Sequence, residues 1–326
     1  ILVILQEPIK VDMGLSDVQL GLLSGFSFAL VYITAGIPIA YWADRGNRRN
    51  IIALAVTVWS GMTALSGLAA NYTQLLLARI GVGIGEAGGS PPAHSMISDY
   101  YPPEKRATAL SIYSVGLHFG VLLGFLMGGF ISQVFGWRVA FMAVGLPGVL
   151  FALVFYLTVK EPQRGRWETA AEASYKPTFK ETLALLRQYR SFWYIAIGAG
   201  LAAFVGYGNG NFAPSFLIRS HGLSVGEVGV VLAIFGGGSG MLGTFLGGYL
   251  TDRLSQRDKR WYLWLPALAG CLSLPLAFPY LLLDNIYVVI GLLFLVNMTI
   301  NTYLGPCLAV SHSLVPPAMR ALVLFH

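Results

Sequence analysis

With 326 residues, 56% hydrophobic and only 11% charged, at a mean hydropathy of +0.66, this chain cannot cover a soluble surface, which needs about 25% charged residues. An aromatic content of 13% excludes a disordered chain. The two cysteines, Cys271 and Cys307, lie in apolar stretches and support neither a disulfide framework nor a metal site. What remains is a polytopic, all-α membrane protein.

The chain opens inside one apolar stretch, ILVILQEPIK, with no initiator Met and no charged signal-peptide region. Stretches of about 20 residues, enough to cross about 30 Å of hydrocarbon, follow near 18–42, 51–70, 73–99, 107–133, 138–159, 191–217, 224–250, 261–283 and 286–314. Counting the opening stretch as part of helix 1, these are helices 2 to 10. Residues 321–326 read as the edge of an eleventh, so both ends read as truncated. The expected organisation is an N-terminal bundle over 1–159, a polar linker over 160–190 and a C-terminal bundle over 191–326. Phe179 to Arg190 has the spacing of a helix lying along the membrane surface.

The net charge of +6 has a pattern. Seventeen of the 21 Lys and Arg residues fall in every second loop, from Arg45–Arg49 through Lys105–Arg106, Lys160–Arg190 and Arg253–Arg260 to Arg320. The alternate turns hold only Lys10, Arg138 and Arg219, and Arg79 lies within a span. This is the positive-inside distribution, which puts the basic loops in the cytoplasm and excludes a nucleic-acid partner.

An internal repeat is the most informative feature. Gly14-Leu15-Ser16 followed by Gly21 recurs as Gly222-Leu223-Ser224 followed by Gly229, and Asp44-Arg45 recurs as Asp252-Arg253, both at an offset of 208. Pro102-Pro103-x-x-Arg106-Ala107 recurs as Pro316-Pro317-x-x-Arg320-Ala321 at 214. That spacing is the length of a six-helix half. Basic loops on the same side of both copies make them parallel repeats about an axis normal to the membrane.

Two such halves are the architecture of the major facilitator superfamily. Ala40-Tyr41-Trp42-Ala43-Asp44-Arg45-Gly46-Asn47-Arg48-Arg49 resembles that family's loop motif between helices 2 and 3, and Gly248-Tyr249-Leu250-Thr251-Asp252-Arg253 its second copy. Arg79 with Gly83 and Gly88 resembles the helix-4 motif. More narrowly, Gly83-Ile84-Gly85-Glu86-Ala87, Ser90-Pro91-Pro92-Ala93, Asp99-Tyr100-Tyr101-Pro102, Gly136-Trp137-Arg138-Val139-Ala140-Phe141 and Glu161-Pro162-Gln163-Arg164-Gly165 are similar to the Spinster branch. The resemblance implies alternating access by two rocking bundles and an amphipathic lipid substrate, a lysophospholipid or sphingoid phosphate, moved in some relatives with protons. It implies no enzyme, cofactor or metal, and a monomer surrounded by membrane lipids. A drug or organic-anion exporter is the alternative within the same class; a membrane-bound lipid enzyme or receptor is the rival from another.

Arg79 and Glu86, both on helix 4, are the ionisable side chains set deepest in the spans, and charges there are functional candidates by default. They share a helix face roughly 10 Å apart. Counting from Asp99 puts Glu86 roughly 20 Å deep, and His118 lies at similar depth on helix 5. A carboxylate withdrawn from water holds its proton more firmly, while a nearby guanidinium opposes this, so Glu86 is the candidate proton-coupling acid, with Arg79 and His118 as relay candidates. The plainer readings are a Glu86–Arg79 structural pair and a packing role for His118. Gly116, Gly120, Gly124 and Gly128 form a stripe suited to close helix packing. In the resembling family the loop carboxylates and arginines latch neighbouring helix ends, which here assigns Asp44, Arg45, Arg48, Asp99, Arg106, Asp252 and Arg253 to a gate. Tyr207 and Asn209, in the glycine-broken GYGNGN run of helix 7, and Asn297, Asn301 and Tyr303 on helix 10 are candidates for the substrate cavity or for bonds across helices. Gly83-x-Gly85-x-x-Gly88, His94-x4-Asp99 and the sequon at Asn71 are motif coincidences on spans or tight turns.

Overall fold

The computed structural model describes residues 1–167 and 186–313; within these, only the backbone is described at 103, 104, 106–108, 111, 114, 115, 117, 118, 308, 309 and 311–313. The surface helix expected from Phe179 lies, up to residue 185, outside the described residues, as do the repeat copy at Pro316–Ala321 and the eleventh helix. The described chain is helical, without strands. It falls into two compact units, Ile1–Trp167 with Asn211–Ala233, and Glu168–Gly210 with Ile234–His326.

The first unit comprises α1 (Leu2–Met13), α2 (Asp17–Arg45), α3 (Arg48–Ser66), α4 (Tyr72–Ala87), α5 (Ser90–Tyr100), α6 (Pro103–Phe135) and α7 (Trp137–Thr158). It also holds the adjoining ends of α8 (Arg190–His221) and α9 (Val225–Ser255). The second holds the rest of α8 and α9, then α10 (Trp261–Leu282), α11 (Ile286–Ile300), a 3₁₀ turn over Asn301–Tyr303 and α12 (Leu304–Ser313). By length and composition α2, α7, α8, α9, α10 and Ile286–Cys307 can each cross a membrane. The protein is a multi-pass integral membrane protein.

The repeated Gly-Leu-Ser has a local meaning. Gly14 and Gly222 adopt φ +65° and +67°, the left-handed conformation that closes a helix and that side chains disfavour. Two residues on, Ser16 and Ser224 open the next helix with capping boxes, through Gln19 and Glu227 respectively. Each new helix then passes through a π-helical turn, Leu22–Phe26 in α2 and Leu232–Gly237 in α9. The repeat therefore encodes the same turn and the same irregular helix start twice.

Close approach around α3 organises the first unit. A Cβ on Gly145 would stand 2.5 Å from the Ala64 nitrogen, and one on Gly85 2.6 Å from the Trp59 nitrogen, so α7 and α4 both pack backbone to backbone on α3. Ile52, Val56, Met96 and Ala152 form the core where α3, α5 and α7 meet.

Three expectations need correction. The span at 73–99 is broken: α4 ends at Gly88 and α5 starts afresh with Pro91 and Pro92 in its first turn, because a proline there lacks the donor that a continuous helix would use. The GYGNGN run breaks nothing. It lies within the continuous α8, where unmet backbone groups in hydrocarbon would cost more than the weak helix propensity of glycine. Of the glycine stripe on α6, a Cβ on Gly116, Gly120 or Gly124 would meet no other element within 4 Å among the described residues. The close approaches are at Gly128, where a Cβ would meet Ile4 and Ile1, and at Gly129, where a Cβ would stand 2.8 Å from the Val225 carbonyl oxygen. A four-residue period selects one helix face; it does not say that a partner lies along its whole length.

Candidate functional site

Glu86 sits at the C-terminal end of α4, beside the break at Gly88–Gly89. At about 100° per residue, Leu77, nine residues before it, points about 180° away, and Ile84 points about 160° away. Both are exposed apolar residues, at 61% and 44%, and mark the outward face of α4. Glu86 is exposed too, but on the opposite face, between Gly85, which packs on Trp59 of α3, and Gly83, which meets Phe28 and Val31 of α2. Val82, one turn before it, is buried at 2%, and Leu75, three turns back on the same face, at 0%. Glu86 thus lies on the inward face of α4, turned away from Leu77 and Ile84. Irregular backbone at this position is the kind tolerated where it lines a wet cavity.

Arg79 lies on the same face as Glu86 and does not clamp it. No ion pair joins the two among the described residues. The Arg79 guanidinium stands 5.3 Å from the Phe28 ring centroid, a cation–π contact, and its Nε is buried without a hydrogen-bond partner among the described residues. The His118 side chain lies outside the described residues.

At the basic-loop end, Arg48 opens α3 and is 1% exposed. Its Nε donates to Glu161 at 2.7 Å, Nη1 to Asp99 at 2.5 Å and to Ser95 at 2.8 Å, and Nη2 to the Pro162 carbonyl at 3.2 Å. Burial opposes the Arg48 charge, but the bonds to Glu161 and Asp99 outweigh it and raise its pKa above the ordinary arginine value. The Arg49 backbone N–H donates to the second Glu161 oxygen at 2.8 Å, and that of Gly165 to the second Asp99 oxygen at 3.1 Å. Arg164 spreads its fork over the carbonyls of Ala43, Asp44 and Gly46, supplying donors that the end of α2 lacks. The Trp167 indole donates to the Asp99 carbonyl at 3.0 Å, and the Tyr100 hydroxyl to that of Lys160. Residues 160–167 thus bind the ends of α2, α3 and α5 together.

Of the expected gate residues, the structure joins Arg48 and Asp99. Asp44 and Arg45 are exposed: Asp44 contributes its carbonyl, and the Arg45 guanidinium lies 3.5 Å from the centroid of Tyr41. In the second copy Asp252 is exposed as well, and Arg253 donates to Tyr249 at 3.4 Å. The tyrosine four residues ahead of the arginine is thus part of the repeat. The side chain of Arg106 lies outside the described residues. Sequence reasoning missed Glu161, Arg164, Ser95 and Trp167 as members; the acid and arginine just after helix 6, facing a basic loop of opposite sequence position, were the available signal.

In the second unit Asn297 and Asn301 donate to the carbonyls four residues earlier, Leu293 and Asn297, at 3.0 and 2.7 Å. Tyr303 is half-buried within electrostatic reach of Tyr207 and Cys307, and Gly206 approaches Ile300, so the structure brings Tyr207 and Tyr303 together. Tyr207 and Asn209 lie about 200° apart on the continuous α8 and face different ways. A mainly apolar hollow of about 350 Å³ between α3 and α4 is bordered by Met62, Leu65, Leu68, Leu77 and Gln74 and includes none of the expected site residues. Asn71, the sequon residue, accepts from Gln74 as the cap of α4, and His94 packs edge-on to Tyr113.

The Major Facilitator Superfamily model matches residues 1–325. The chain belongs to the major facilitator superfamily. It is 36% identical over 318 residues to an MFS-type efflux pump of Mycolicibacterium smegmatis strain ATCC 700084, covering 98% of this chain and 73% of that protein. The Drosophila melanogaster protein spinster is 28% identical over 76% of this chain and 42% of its own length. Among solved structures, a bacterial homolog to the human lysosomal transporter Spinster, in an inward-facing and unoccupied conformation, superposes with a TM-score of 0.86 at 39% identity, covering 98% of this chain and 72% of that one. The family and fold are those of membrane transporters, and the Spinster resemblance holds along nearly the whole chain.

Proposed function

We propose that this transporter moves an amphipathic lipid, a lysophospholipid or sphingoid phosphate, by rocker-switch alternating access with its basic loops in the cytoplasm, and that Glu86 couples transport to protons. The observation that carries the coupling is the placement of Glu86. It is an unclamped, accessible acid on the inward face of α4, with the outward face marked by Leu77 and Ile84. Such a group can load a proton from a wet crevice and release it after the crevice changes sides. Arg79, partnered by Phe28 rather than by Glu86, is a fixed positive charge against which the acid's protonation is felt. Tyr207 and Tyr303 are the cavity groups this reading favours. The substrate class rests on the Spinster resemblance, supported by the bacterial homolog structure at 39% identity.

Export of drugs or organic anions is the second reading. It is favoured by the 36% identical efflux pump and by a cis,cis-muconate transport protein of Acinetobacter baylyi, 28% identical over 91% of this chain. Proteoliposome flux separates the two. Labelled lysophospholipid is expected to move unaltered under an imposed pH gradient, and Glu86→Gln to remove the gradient dependence. Flux of a muconate or a cationic drug without lysolipid flux would decide for the second reading, and unchanged pH dependence in Glu86→Gln would end the coupling role.

A further inference from the structure

Within the second unit, α9 lies along α11: a Cβ on Gly243 would collide with the Met298 carbonyl. The helix it meets is interrupted. α11 ends at Ile300, and the chain makes one 3₁₀ turn over Asn301–Tyr303 before α12 begins. Pro306, in the first turn of α12, has no N–H, so the Thr302 carbonyl lacks the donor that a continuous helix would supply four residues on. The negative pole of the α11 backbone dipole therefore falls inside the span.

Two amides sit at that pole. Asn297 and Asn301, one turn apart, donate to the Leu293 and Asn297 carbonyls at 3.0 and 2.7 Å. These bonds fix how each amide is turned, because an Oδ1 in the place of the nitrogen would face a carbonyl oxygen. Each Oδ1 accepts no hydrogen bond among the described residues, and neither is sealed from solvent. The wall thus turns two acceptors outward. Beside them there is room: a Cβ on Gly240 would lie 3.6 Å from the Asn301 Nδ2, and one on Gly238 would meet no other element within 4 Å. About one turn back along both helices, Phe235 and Phe294 meet edge to face with centroids 6.5 Å apart. Among the described residues of this unit every Lys and Arg lies at or beyond a helix end, Arg187 and Arg190 on one side and Arg253 to Arg260 on the other, so the wall carries no positive charge for a phosphate.

We propose that Asn297, Asn301 and the negative end of α11 form a subsite for a primary ammonium group on the head of the amphipathic substrate. Such a group donates three hydrogen bonds, enough for both amide oxygens and a water. A trimethylammonium donates none and needs a cage of ring faces, which an edge-to-face pair of phenylalanines does not make. A phosphate would bring acceptors to acceptors. Among single-chain lipids the subsite therefore selects heads that carry a primary amine over those that carry choline. This rests on the amphipathic-lipid reading, but simple amines can probe it, so a failed lysophospholipid flux assay and a failed subsite are distinguishable.

The test uses the full-length protein in a non-ionic detergent. Native mass spectrometry reads its occupancy by decylamine, decyltrimethylammonium and decyl phosphate, which share one tail. The parent is expected to bind the amine about tenfold more tightly than the trimethylammonium, the worth of one charge-assisted hydrogen bond. Asn297→Leu and Asn301→Leu should each remove that preference and leave the affinities for the other two ligands unchanged, a change of ratio that a merely structural asparagine would not produce. The two variants are independent, should one of them not fold. No preference for the amine in the parent, or an unchanged preference in the folded variants, would overturn the proposal. So would loss of amine binding in sodium chloride but not in N-methylglucamine chloride, which would give the acceptors to an inorganic cation.

Discussion

Replacing Arg48 by Met is the sharpest probe of the basic-loop cluster. The guanidinium is 1% exposed, and the two carboxylates it pairs, Asp99 and Glu161, have side chains 9% and 22% exposed. Breaking one partner out of a buried pair costs about 3–5 kcal/mol. Here Asp99 keeps the Gly165 N–H and Glu161 keeps that of Arg49, so neither acid is fully stranded and the expected loss is about 3 kcal/mol. Met fills much of the volume, so the measured effect is chiefly electrostatic. Arg48→Lys should recover little, because one ammonium cannot reach Glu161, Asp99, Ser95 and the Pro162 carbonyl together. The assay is equilibrium unfolding in mixed micelles, run as a double-mutant cycle with Asp99→Asn. A coupling of about 1.5–3 kcal/mol is expected for one charge-assisted contact. Losses below about 0.5 kcal/mol, as for an ordinary surface site, or strict additivity in the cycle would refute the reasoning.

Three further outcomes test the frame. Arg164→Ala should lower stability by about 1–2 kcal/mol, since the carbonyls of Ala43, Asp44 and Gly46 lose charged donors; the same unfolding assay reads it. Gly14→Ala should cost about 1–2 kcal/mol, because the position holds φ +65° with open space around it, and the equivalent Gly222→Ala should behave alike. Gly145→Val should reduce folded yield in detergent sharply, since even a Cβ there meets backbone at 2.5 Å; a normal monodisperse yield would show that α3 and α7 are not so closely packed.

Apolar runs, alternating basic loops and the Gly-Leu-Ser and Asp-Arg repeats carried the architecture, because hydrophobic length and capping chemistry are local and periodic. Glu86 was legible for a related reason: a lone acid among apolar residues stands out wherever the helix turns. Its facing was not, since that depends on which side of α4 meets Trp59 and Phe28. The breaks were misplaced in both directions. Glycine frequency suggested one at GYGNGN, where the continuous helix satisfies its own backbone, whereas the π-turns at Leu22–Phe26 and Leu232–Gly237 lie in sequence that reads as ordinary helix. The networks of Arg48 with Glu161 and of Arg219 with Glu7 join residues separated by more than 100 positions, so only tertiary structure shows them. Asp44, the signature residue of its loop, holds its neighbour through the backbone rather than through its carboxylate.

The central claim is that Glu86 faces water inside the protein while the other side of the same helix faces lipid. Single cysteines at 86, 77 and 84, in protein whose native cysteines are replaced, can be titrated in liposomes with a hydrophilic maleimide. Rapid labelling at 86 with little at 77 and 84 is the expected result. An unreactive position 86, or one no faster than 77 and 84, would contradict the account.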